Sequence, residues 1–223
     1  MTAMNRREAL LAMAGAAAAS CCPRLAVAAV AMGAPWTIVP TVTVIGPAGD
    51  SRLVLVRDAV AFWNHTLAGL GSAFRLGAIT ERVGLVPAEK LAALSEATLA
   101  QAVPPALPAD VMAVPGNIVV ALSGGDFVSF CTRRMSEAKA LVAIKSGGAL
   151  PLTLPNVARN VIAHELGHAI GLGHNGDPAF LMCGRPAPCR PTAFQSTSEH
   201  YFPLTDDEKA LLLRLYPAGW QPR

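Results

Sequence analysis

The sequence predicts a single α/β or α+β domain, and three observations carry that prediction. Residues 36–45 and 117–123 are short runs rich in β-branched apolar side chains, which suits strands. Other segments repeat apolar residues at helical spacing. The order of the two kinds, strand, helix, several strands, helix, helix, describes one layered unit, and 223 residues suffice for one well-packed core. With 52% of residues hydrophobic and 15% charged, extended disorder is excluded over most of the length. A net charge of +3 without a basic stripe gives no nucleic-acid signature.

Each element has its own signal. Residues 36–45 read as the first strand, and the Gly-Pro-Ala-Gly run at 46–49 as a turn. Asp50 or Ser51 then caps a helix to about Leu70, with Leu53, Val56, Val60, Trp63 and Leu67 on one face. Residues 74–79 read as a second strand and 87–101 as an amphipathic helix, followed by a proline-rich loop at 103–110. Residues 117–123 form a strand, Gly124-Gly125-Asp126 a turn, and 127–133 with 139–145 a hairpin. A helix over 155–171 starts at Pro155 and stops at Gly171. Thr205 opens the last helix, which ends near Tyr216 before Pro217.

The first residues resemble an export signal. Arg6-Arg7 precede an apolar run over 9–19, as in a bacterial twin-arginine leader, and Ala26-Val27-Ala28 offers a small-x-small cleavage site. An ordinary secretory leader is one alternative. A second is a lipobox at Ala18-Ala19-Ser20-Cys21, whose lipidation at Cys21 tethers the protein to a membrane. The expected organisation is therefore a leader over 1–28, a linker over 29–35, a catalytic domain over 36–218 and a tail over 219–223. Location is periplasmic or extracellular, with no transmembrane span in the mature form. Export permits disulfides. Cys183 and Cys189 are the first choice for a pair, and a pair using Cys131 is the alternative.

Three of the five histidines fall within the eleven residues HELGHAIGLGH, from His164 to His174. Residues four apart share a helix face, so His164 and His168 present two imidazoles to one point. That is the start of a tetrahedral zinc site. A helix continued to His174 carries that residue too far away to share the ion. Gly171 ends the helix in a left-handed conformation, and Gly173 adds freedom, so the third imidazole returns. Glu165 is turned aside from the pair, placed for a base rather than a ligand. The fourth position is left for water, which distinguishes a catalytic from a structural zinc.

HELGHAIGLGH followed by Met182 resembles the metzincin zinc proteases, which share that motif and a methionine turn under the metal. The matrixin branch is the most similar: Met182 lies eight residues after His174, Ala179-Phe180-Leu181-Met182 is similar to the matrixin A-L-M run, and residues 202–217 are similar to the closing helix. The resemblance is strong over 155–217 and rests only on element order over 36–145. It implies a twisted, mostly parallel sheet of about five strands with an antiparallel edge strand, plus three main helices. It also implies one catalytic Zn2+ on His164, His168 and His174, with Met182 packed beneath.

The activity implied is that of a zinc-dependent endopeptidase in which metal-activated water attacks a peptide carbonyl, with Glu165 as general base and then acid. An extended protein or peptide substrate pairs with the edge strand at Phe127, Val128, Ser129 and Phe130. Residues 191–203, including Tyr201, wall the pocket beyond the scissile bond. The chain is expected to act as a monomer. It departs from matrixins in having Cys183-Gly184 after the methionine, no His/Asp cluster for a second zinc and no propeptide long enough for thiol latency. Gly124-Gly125-Asp126 is a weak calcium signal, so calcium is not supported. Two other functions remain open: a non-catalytic zinc-holding surface protein on the same fold, and a zinc amidase acting on cell-wall peptide.

Overall fold

The computed structural model describes residues 31–100, 105–133, 138–148, 152–184 and 199–223. The leader, the Cys21 lipobox and Cys189 lie outside the described residues. Among the described residues, five strands and five helices follow in the order β1 (Val42–Gly46), α1 (Arg52–Gly69), β2 (Ile79–Val83), α2 (Ala88–Ala100), α3 (Ala109–Met112), β3 (Ile118–Leu122), β4 (Phe130–Thr132), β5 (Ala140–Ile144), α4 (Pro155–Ala169) and α5 (Asp206–Leu215). The strands form one sheet in the order β2-β1-β3-β5-β4. All pairings are parallel except β4 with β5, so the antiparallel strand lies at an edge. No helix among the described residues is long and apolar enough to cross a membrane.

The period of two along each strand sorts side chains onto two faces. Val42, Val44, Ile118, Val120, Leu122, Val142 and Ile144 join one buried cluster with side chains of α1, α4 and α5. Ile45, Val119, Ala121, Leu141 and Ala143 join a second with α2 and α3. A sheet covered on both faces explains why its inner strands are buried at every position. The larger cluster also holds Leu166, Ala169 and Met182, so the candidate site stands on the main core.

Several boundaries differ from the sequence expectation. β1 begins at Val42, not at residue 36. Trp36 leaves the strand direction, and its indole Nε1–H donates to the Ala169 carbonyl at 2.9 Å. The second strand is Ile79–Val83, not 74–79. Phe74 and Leu76 are buried as expected of a strand, but the Asn64 side chain takes both Leu76 main-chain groups, at 2.8 and 3.0 Å. The proline-rich loop runs into the short α3, begun by extended Pro108. Residues 219–223 are tied back: Trp220 Nε1–H donates to the Trp36 carbonyl and packs edge-on to Phe74. The linker segment pairs Ala31 with Leu172, beside the end of α4.

Candidate metal centre

α4 carries the first two histidines. Pro155 at its first turn has a fixed φ and needs no helical N–H partner. The helix packs on α1, β5 and β4, which buries almost every residue from Asn156 to Ala169. It stops as expected. Gly171 has φ +107°, its N–H donates to the His168 carbonyl, and the Leu172 N–H donates to the Gly167 carbonyl. The Tyr216 hydroxyl satisfies the Ile170 carbonyl at 2.9 Å. Arg133, at the end of the expected 127–133 hairpin strand, is half-buried. Its guanidinium lies 3.6 Å from the centroid of the Trp36 ring, at the negative end of the α4 dipole.

Beyond Gly171 the chain reverses and His174 meets the other two imidazoles. The three Nε2 atoms are mutually separated by 3.0, 3.0 and 3.2 Å. Three nitrogens at zinc–nitrogen bond lengths on a tetrahedral ion are about 3.3–3.4 Å apart, so this set is a close fit. The tautomers agree. His164 Nδ1–H donates to the Leu181 carbonyl at 2.8 Å and His168 Nδ1–H to the Leu172 carbonyl at 2.7 Å. With Nδ1 carrying the proton, each Nε2 presents a lone pair to the common centre. Burial first, and then the neighbouring imidazoles, lower the His168 pKa well below its usual value; burial also lowers that of His174. Both shifts favour the neutral ring, the form an imidazole needs to ligate a metal. Among the described residues this trio is the group with metal-ligating geometry.

Glu165 is buried at the root of β4. Burial pushes its pKa up to about 8, against a hydrogen bond from the Cys131 backbone that lowers it. A dication next to a carboxyl favours the ionised form, so metal binding at the adjoining histidines moves this group toward a usable base.

The turn that carries Met182 packs against α4 beside His168. Met182 is fully buried, and a Cβ added to Gly167 would stand 2.5 Å from its Sδ and 2.9 Å from Trp63 Cζ2. Gly167 is thus the point where α4 touches the turn, one residue before His168. The Asn175 N–H donates to the Met182 carbonyl, and the Gly184 N–H to the Asn175 carbonyl, stitching the His174 strand to the turn. Gly184 leaves room for the His174 ring, whose Cγ would be 3.3 Å from a Cβ there. Glu208, buried in the first turn of α5, accepts from Asn175 Nδ2 at 2.6 Å and also completes the Thr205 capping box. Cys131 is a buried free thiol, so the alternative pair using it is not formed. The pair of Cys183 with Cys189 involves a residue outside the described ones.

The expected substrate-contacting residues are only partly brought to the site. Phe127 and Phe130 are buried in the second cluster, between the sheet and α2. The Val128 carbonyl accepts from Ser95 Oγ, and Ser129 Oγ accepts from the Lys145 N–H. Tyr201 stacks on Phe62 with ring centroids 4.1 Å apart. Most of the 191–203 wall lies outside the described residues. Asp126, the calcium candidate, pairs with Lys145 at 2.5 Å, and His65 is exposed on α1.

Sequence reasoning named the three histidines, Glu165, Gly171 and Met182. It missed the contact of Gly167 with Met182 and Trp63 and the bond between Glu208 and Asn175. Only Gly167 and Glu208 had a local signal, as a glycine inside a helix and as the fourth residue of a capping box.

No protein-family model matches the chain, and no curated protein matches it. Solved structures do match. One is archaemetzincin from Methanopyrus kandleri, with a TM-score of 0.49 at 15% identity, covering 80% of this chain and 96% of that one.

Proposed function

We propose that this chain is a metzincin-like zinc-dependent endopeptidase of the matrixin type, exported by a bacterium, that hydrolyses extended protein substrates. The observation that carries the reading is the convergence of three Nε2 lone pairs within 3.2 Å of one another beside a buried carboxyl. His164, His168 and His174 hold the ion. When bound there, zinc supplies a Lewis acid that makes water nucleophilic near neutral pH.

Every other step belongs to the chain. Glu165 accepts the proton of the attacking water and returns it to the leaving amine. The Leu181 and Leu172 carbonyls fix the tautomers of His164 and His168. β4 is an edge strand, paired with β5 among the described residues, and its outer backbone edge aligns an extended peptide. A base beside a three-ligand site favours catalysis over metal storage, because a structural site closes its fourth position with protein.

The test incubates purified protein with casein, gelatin and cell-wall peptide, with and without chelator. Cleavage of casein or gelatin is expected, abolished by chelator and lowered about 10²–10⁴-fold by Glu165→Ala. Cleavage confined to cell-wall peptide redirects the reading to an amidase. Wild type and Glu165→Ala behaving alike on every substrate overturns the enzyme assignment.

A further inference from the structure

α4 repeats polar residues every four positions: Asn156, Asn160, His164, His168. This spacing places all four on one helix face. The last two meet the metal. The first two hold a separate stretch of chain, residues 200–202, which runs past that face. Asn160 is 1% exposed, and its amide is fully used. Its Oδ1 accepts from the Phe202 N–H at 2.8 Å, while Nδ2 donates to the His200 carbonyl at 3.0 Å and to the Asn156 carbonyl at 2.8 Å. Asn156 Oδ1 accepts from the His200 N–H at 3.3 Å. Neighbouring Arg159 adds an ion pair to Glu199 at 2.8 Å.

The next residue of the stretch closes a circuit. The Pro203 carbonyl accepts from the Leu181 N–H at 2.9 Å, and the Leu181 carbonyl accepts from His164 Nδ1–H at 2.8 Å. A path of hydrogen bonds therefore leaves α4 at Asn160, crosses Phe202–Pro203 and Leu181, and returns to α4 one turn later at His164. We propose that Asn160 is a positioning residue of the metal centre, which fixes the Leu181 carbonyl and through it the ring of His164.

The chemistry of the amide is specific. A donor and an acceptor on one planar group pair with a carbonyl and an N–H two residues apart, as a neighbouring strand does. Alanine removes both bonds, including the buried one to the Phe202 N–H. The stretch is then held to α4 only more loosely, through Asn156 and Arg159, and Leu181 loses a fixed anchor. The inference rests on His164 being a metal ligand, and it adds that ligand geometry depends on a residue that never approaches the ion.

The test needs a variant that separates this role from general support, and α1 supplies it. Asn64 makes the same two-bond clip to the main chain of Leu76, away from the site. Zinc affinity of the full chain is measured by competition with a chromophoric chelator, and the cobalt(II) visible spectrum is recorded, at a temperature where every variant is folded. Asn160→Ala is expected to weaken zinc binding about tenfold, within the range for outer partners of metal ligands, and to change the cobalt spectrum. Asn64→Ala is expected to lower thermal stability while leaving both readouts at wild-type values. Asn160→Asp, kept protonated by burial between the His200 and Asn156 carbonyls, retains the acceptor for Phe202 and one hydroxyl donor, and is expected to bind zinc within about threefold of wild type. It also supplies the answer if the alanine variant does not fold. Asn160→Ala binding as tightly as wild type, Asn64→Ala weakening binding equally, or Asn160→Asp losing about tenfold or more overturns the proposal. A wild-type chain that takes up no metal fails the underlying reading instead.

Discussion

Replacing Gly167 by alanine opposes two effects of similar size, and the structure decides between them. Alanine is favoured over glycine inside a helix by about 1 kcal/mol. The new methyl would stand 2.5 Å from Met182 Sδ, 3.0 Å from Met182 Cε and 2.9 Å from Trp63 Cζ2. Trp63 cannot retreat cheaply, because its Nε1–H is bonded to the Ala163 carbonyl at 2.8 Å and the ring is fully buried. Met182 has a flexible side chain, but its carbonyl is bonded to Asn175 and its neighbour Leu181 orients His164. Overpacking of this kind costs about 1–3 kcal/mol, and contacts under 3 Å to two side chains place it in the upper part. The net expectation is a loss of about 1–2 kcal/mol, or about 2–8 °C in Tm for a chain of this size. Urea denaturation of chelator-treated protein measures it without interference from metal. In a Met182→Val background, which deletes Sδ and Cε, the cost of Gly167→Ala should fall by about 0.5 kcal/mol or more. A Gly167→Ala protein more stable than wild type, or an equal cost in both backgrounds, refutes the packing argument.

Two further outcomes are expected. Burial alone would raise the Asp50 pKa, but the Arg52 guanidinium and backbone outweigh it and hold the carboxyl below its ordinary 3.8. A depressed pKa contributes stability above the unfolded value that is lost as pH falls through the folded one. The urea midpoint of Asp50→Asn should therefore lie below wild type at pH 7, with the gap closing in acid below about pH 4; a constant gap is the contrary result. Burial first, and then the nearby Glu165, push the Cys131 thiol far above its usual pKa. Peptide mass spectrometry after alkylation at pH 8 should find Cys131 unlabelled in the folded chain and labelled in guanidinium; equal labelling contradicts its burial.

The centre was legible in the sequence because its chemistry is local. His164, Glu165, His168, Gly171 and His174 fall on one helix and the turn after it; helical spacing sets the first three, and the left-handed Gly171 lets the chain bring His174 back. β3, β5, α1 and α4 were legible for a similar reason: the two strands are short unbroken apolar runs and the two helices repeat apolar residues at helical spacing. What escaped depends on partners distant in sequence. The stretch 74–79 has a strand's apolar content, but a side-chain amide from α1 takes the backbone bonds of Leu76, while the exposed edge strand Ile79–Val83 has no apolar pattern to announce it. Phe127 and Phe130 belong to the expected hairpin, yet α2 covers them, and nothing in their own sequence says which face a helix will occupy. Asn160, Glu208 and Asn175 acquire meaning only when residues 175, 181, 202 and 203 are brought beside α4.

The central claim is that three imidazoles of this chain share one metal ion. Zinc titration of the demetallated protein, followed by calorimetry and by elemental analysis after dialysis, tests it most directly. One zinc per chain is predicted, with sharp loss in His168→Ala and comparable loss in His164→Ala and His174→Ala. No uptake by the wild type, or uptake indifferent to all three substitutions, would contradict it.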